Sequence, residues 1–185
     1  MKLGFLTFTL VAAAAALPAA AGVLVLGNSA ARLCYEAAES DNATTMAIAR
    51  CDEALRGDVA LTQYEVVATH VNRGILKLRR DDFSEALADF DKAIELDESE
   101  PESYVNKGFT LLRMNETDWQ APLAMFDQGL ALKTRRPEIA YFGRAIANER
   151  AGRVRQAYYD YRQASALAPR WEYPKVELAR FRVAR

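Results

Sequence analysis

The residues able to do chemistry are few and poorly grouped. There is one histidine, His70, and it is flanked by the apolar periodicity of a helix. Its position suits a stand-in for an aromatic packing residue better than a general base. No Gly-rich phosphate loop, His-Glu-x-x-His pair or Gly-x-Ser-x-Gly turn occurs. Two cysteines and a distant histidine cannot complete a tetrahedral zinc site, so no metal and no cofactor is expected. The expected chain is not an enzyme. The rival is an enzyme or glycan binder built on Tyr158, Tyr159, Tyr161 and Arg162, but tyrosines at helical spacing more readily pack. Two Asn-x-Thr sequons, at Asn42 and Asn115, matter only in a host that glycosylates exported proteins.

The cysteines point to a compartment. Cys34 and Cys51 lie 8 residues before and 9 after Asn42, in the polar break Ser40-Asp41-Asn42. In an antiparallel helical hairpin they meet at one height, so a disulfide is expected in an exported chain. The N-terminus agrees. Met1-Lys2 precedes a charge-free run from Leu3, Pro18 breaks it, and Ala19-Ala20-Ala21 offers the small residues that a signal peptidase reads. Residues 1–21 are read as a signal peptide cleaved after Ala21, in a periplasmic protein. The alternative is a membrane-anchored chain with the leader retained, because Val23-Leu24-Val25-Leu26 prolongs the apolar run towards a membrane span.

Bulk composition adds limits. The 185 residues are 51% hydrophobic, enough for a core, and the formal net charge is −1. That balance hides a gradient. From Lys133 onward 13 Lys and Arg face 5 Asp and Glu, whereas the rest of the chain carries 11 against 20. Head-to-tail self-association is one use of such asymmetry. Nucleic acid is not expected, because the basic residues lack interleaved stacking platforms.

The elements that position these residues are helices in pairs. Residues 22–29 are read as an extended segment. Residues 30–62 form a first hairpin, with Gly57 as a stop. A fuller hairpin begins near Gln63, with Asp81-Asp82 turning into and capping its second helix. Ser99 and Glu102 have capping-box spacing, and Pro101 suits a first helical turn. Pro122 would break a helix that began earlier, so a start near Gln120 is expected. Gly152 marks a turn, and residues 172–185 are read as a capping helix.

A pattern recurs through these pairs. His70, Gly74, Ala86, Phe90 and Ala93 form one copy. Tyr104, Gly108, Phe126 and Gly129 form a second, and Tyr141, Ala145, Ala157, Tyr161, Ala164 and Pro169 a third. Gly74 and Gly108 are 34 positions apart, the period of stacked helical hairpins. The chain resembles the tetratricopeptide repeat family over residues 44 to 171. Asn72-Arg73-Gly74 and Asn106-Lys107-Gly108 match one variant of its motif. The resemblance implies an all-α, right-handed solenoid, with repeats across residues 63–171. It also implies a concave groove formed by the first helix of each hairpin.

By position, that groove holds Asn72, Ile75 and Arg79, then Asn106, Phe109 and Arg113, then Phe142, Ile146 and Arg150. Asn72 and Asn106 suit a bound peptide backbone, since an amide both donates and accepts. The arginines suit a carboxylate. Val71, Ile75 and Leu78 at i, i+4 and i+7 equally describe a core stripe. The N-terminal hairpin or the segment around Val23 is a candidate to fill the groove. The expected role is a protein-interaction scaffold with a peptide or protein partner; the alternative is a membrane-tethered factor in envelope assembly.

Overall fold

The computed structural model describes residues 21–25, 29–40, 43–57, 60–115 and 117–181. The expected leader, apart from Ala21, lies outside these residues, as do Asn42 and the last four positions. Nine helices occur among the described residues: α1 (Ser29–Glu39), α2 (Thr45–Arg56), α3 (Gln63–Arg79), α4 (Phe83–Leu96), α5 (Pro101–Met114), α6 (Gln120–Ala131), α7 (Pro137–Arg150), α8 (Val154–Leu167) and α9 (Glu172–Leu178). None of them is long and apolar enough to cross a membrane. Each helix packs on the next, and the odd helices also touch in series, α1 on α3, α3 on α5 and α5 on α7. The odd helices therefore make an inner layer, with α2, α4, α6 and α8 outside it.

Local chemistry sets the boundaries. Thr44 caps α2 by accepting from the Ala47 amide. Thr62 and Glu65 form a reciprocal capping box on α3. Prolines open α5 and α7, where a missing N–H costs nothing. α6 begins at Gln120, as Pro122 requires. Gly152 sits between α7 and α8 at φ 71°, a left-handed turn that glycine takes without strain.

Small residues let the layers close. A methyl group on Gly74 would lie 2.6 Å from the Phe90 ring. The Phe126 ring is wedged between Gly108 and Gly143, where added methyl groups would sit 2.9 and 2.4 Å away. Phe90, Phe126 and Tyr161 fill equivalent positions of the three repeats and are all sealed from solvent. Cys34 and Cys51 are joined by a disulfide that staples α1 to α2.

Three local expectations need correction. Ser99 does not cap α5: its hydroxyl turns back to Asp97, and Glu100 caps by accepting from the Glu102 amide. Glu102 is thereby released to bond across to the α6–α7 loop. Asp82 precedes α4 without a side-chain cap and pairs with Arg80 instead. The terminal helix spans Glu172–Leu178 and ends in a turn at Ala179 and Arg180, well short of Arg185.

Candidate interaction groove

Asn72 lies on the inner face of α3, two residues before the Gly74 contact. Its Oδ1 accepts from the Val23 amide at 2.8 Å, and its Nδ2 donates to the Val23 carbonyl at 2.8 Å. One side chain thus pairs both backbone groups of one residue, as a neighbouring β-strand would. The residue it holds belongs to the chain's own segment 21–25, which runs extended along the odd-helix layer. The Tyr64 hydroxyl donates to the Leu24 carbonyl at 3.0 Å, and the Gly22 amide donates to Glu39 at 3.1 Å. Asn106 donates to the Ala21 carbonyl at 3.3 Å, and also to the Glu102 carbonyl of its own helix at 2.8 Å.

Side chains alternate along this segment as a strand demands. Val23 and Val25 are 0% and 1% exposed, whereas Leu24 between them is 45% exposed. The two valines join the same core cluster as Cys34, Ala68, Val71 and Ile75. The site is therefore occupied in cis, the arrangement in which the segment around Val23 fills the groove.

The other groove positions divide into two kinds. Ile75, Phe109 and Phe142 are core residues, and Ile146 is half-buried. Phe109 packs edge-on against Phe126, and Phe142 meets Tyr161 edge-on and Trp171 at a tilt. The arginines are committed to the scaffold instead of standing ready for a carboxylate. Arg79 donates to the Ser40 carbonyl at 2.8 Å, Arg113 to Leu78 at 3.0 Å, and Arg150 to Leu112 at 2.6 Å. Each ties off the carboxyl end of the preceding odd helix, where carbonyls lack helical partners and the dipole favours a cation. Their 34- to 37-residue spacing reflects that structural task.

The asparagine ladder has two rungs. In the third repeat Gly143 stands where the first two have Asn72 and Asn106, since Phe126 takes the space a side chain would need. On the outer side, Asp89 of α4 is buried. It accepts from Arg73, lies 2.9 Å from the Lys77 ammonium and 3.0 Å from His70 Nδ1. Burial pushes its carboxyl up, but these three donors outweigh burial and hold it down at about 2. His70, expected to replace an aromatic knob, is thus a member of an ionic cluster. Arg73 reaches on to Asp52, tying α3 to α2. Arg144 repeats the device in the third repeat, bridging Asp160 and Asp127.

A second acidic site opens α5. One Glu102 oxygen accepts from Thr134 and the Arg135 amide, while the other is buried without a partner. Glu100 beside it pairs with Arg135 at 2.8 Å. Burial, helped by the Glu102 charge, nevertheless drives the Glu100 carboxyl up to about 7. Arg135 is half-exposed, so water screens the cation that would hold it down. Sequence inspection missed both acidic sites; Asp and Glu among apolar neighbours on one helix face were the available signal. Among the described residues no group of His, Cys, Asp and Glu could hold a metal ion.

No protein-family profile matches the chain, and no curated protein matches it. Solved structures do. The tetratricopeptide repeat domain of Arabidopsis OM64 superposes with a TM-score of 0.59 at 21% identity, covering 64% of this chain and 96% of that domain. The first such domain of human RPAP3 gives a TM-score of 0.57 at 19% identity, covering 62% of this chain and 87% of its own. With paired helices in an inner and an outer layer and small-residue contacts recurring at the repeat spacing, this chain has the all-α tetratricopeptide repeat fold.

Proposed function

We propose that this chain is an exported, non-enzymatic interaction scaffold of the periplasm or cell envelope, which takes extended polypeptide along its odd-helix face. The observation that carries the reading is the reciprocal pair of bonds between Asn72 and Val23. An inner-face asparagine that grips one backbone residue from both sides reads main chain rather than a particular side chain. Such a face accepts a strand, and side-chain pockets beside it supply selectivity. The disulfide supports an oxidising compartment.

A photo-activated cross-linking residue at Ile146, half-buried on odd helix α7, tests this in the intact cell envelope. The control position is Met46, 71% exposed on the outer helix α2. Polypeptide adducts are expected from position 146 and not from 46. Equal yields at the two positions, or none at 146, would overturn the reading.

A further inference from the structure

Gly22 sits directly against the carboxylate of Glu39. A methyl group on its α-carbon would sit 2.4 Å from Glu39 Oε1 and 3.4 Å from Asn72 Oδ1. Its amide nitrogen already lies 3.1 Å from that same Glu39 oxygen. The next residue, Val23, is fixed on both sides by Asn72 and fully buried. The bond that precedes Gly22 is the one at which Ala19-Ala20-Ala21 ends.

We propose that Glu39 and Asn72 form a receptor for the chain's own processed amino terminus, with the α-ammonium of Gly22 as its ligand. Hydrolysis adds one water across the Ala21–Gly22 amide. The new carboxylate leaves on Ala21 with the leader, and the amine stays on Gly22 and takes up a proton. The neutral N–H facing Glu39 becomes an ammonium with three donors, and the contact becomes a charge-assisted bond. The exchange gives up the burial of Ala21, which is 2% exposed. Asn106 loses its longer bond, to Ala21, and keeps the shorter one to Glu102.

Glu39 ends α1, and Cys34 of the same helix is bonded to α2, so the docked terminus is held by a stapled hairpin. Processing then fixes the strand over the first repeat. The inference rests on the export reading of residues 1–21 and is independent of any partner.

The full-length chain, expressed with its leader and recovered from the exported fraction, provides the test. Intact mass and amino-terminal sequencing are expected to show a chain that starts at Gly22. A start at any other residue, or a retained leader, overturns the proposal but not export, whereas absence of the chain from the exported fraction overturns the export reading itself. The second measurement is the rate at which an amine-acylating ester modifies the α-amine of the folded protein, with surface lysines as internal reference. Glu39→Gln is expected to speed that reaction by about 2- to 5-fold, the range for loss of a solvent-touching ion pair. An unchanged rate sinks the docking while leaving export and the scaffold reading intact. Gly22→Ala provides the independent arm. It should push the Glu39 carboxylate aside and speed the same acylation, and an unaltered rate there contradicts the contact.

Discussion

The first and second repeats carry the same triplet, Asn-basic-Gly, yet they handle polar groups in opposite ways. In the first, Asn72 makes two short bonds to one residue, and Arg73 joins Lys77 and His70 around the buried Asp89. In the second, Asn106 shares one nitrogen between two carbonyls. Met125 stands where the first repeat has Asp89 and the third has Asp160, so Lys107 turns back to Asp91 of α4. The buried acids of this repeat are Glu100, whose carboxyl burial raises, and Glu102, one oxygen of which has no donor. The first repeat is locked by charge and by its own strand, whereas the second is held by an aromatic wedge. An identical triplet therefore specifies helix packing, and its surroundings specify everything else.

The wedge offers the largest effect. Phe126→Ala removes a ring that contacts Gly108, Gly143 and Phe109, and should cost about 3–5 kcal/mol in denaturant unfolding. Phe90→Ala should cost less, because the Asp89 cluster beside it still clamps α3 to α4. A larger loss at Phe90 than at Phe126 would reverse the assignment of wedge and clamp.

Next comes the staple on the first side. Replacing Cys34 and Cys51 together by Ala opens a loop with sequence separation 17. The chain-entropy estimate for such a loop is about 3 kcal/mol. Hydrogen exchange should show the loss concentrated in α1, α2 and the 21–25 segment. A uniform loss extending through α8 would mean that the halves are not distinct.

Glu100 gives the second repeat a pH signature. Its folded carboxyl lies near 7, above the ordinary 4.5, because burial and the Glu102 charge favour the protonated form. A raised carboxyl contributes stability that is complete below about 4.5 and is lost as pH rises through 7. Unfolding free energy should therefore fall between pH 5 and pH 8. Glu100→Gln should flatten that slope and stabilise the protein at pH 8, by an amount on the order of 1–3 kcal/mol. Asp89 works in a separate window. Held down at about 2, it contributes stability that is present above about 4 and lost only as pH falls towards 2. A flat wild-type profile from pH 5 to pH 8 would remove the contrast.

Much of the fold was legible because it follows local rules. Pro122 delays α6 to Gln120, Gly152 turns the chain, and the small residues at 74 and 108 mark close helix contacts. The cysteine pair followed from hairpin symmetry. The groove was half legible: Asn72 as a backbone-gripping amide follows from its chemistry, but its bond to Val23 spans 49 residues, and periodicity has no way to choose that partner. The arginines misled for a related reason. A guanidinium suits a carboxylate and a helix carboxyl end equally well, and only the stacking of α1, α3, α5 and α7 decides which is within reach. The His70 spacing describes only its own helix, whereas its bond goes to Asp89 on the next one, and Ser99 bonds back to Asp97 within the loop before α5.

The two asparagines give the smallest and sharpest comparison. Asn72→Ala leaves the buried N–H and carbonyl of Val23 without partners, and should cost about 1–3 kcal/mol. Asn106→Ala removes one bond within its own helix and, before processing, one long contact to Ala21, so it should cost less than about 1 kcal/mol. Both residues are fully buried, so a burial argument alone predicts equal losses. Hydrogen bonding predicts unequal ones. Amide exchange locates the effect: Asn72→Ala should release Val23, while Asn106→Ala should leave Val23 protected. Equal losses, or release of Val23 by both changes, would show that the strand is held by its valines in the core. The proposed reading of backbone by the inner face would then lose the observation that carries it.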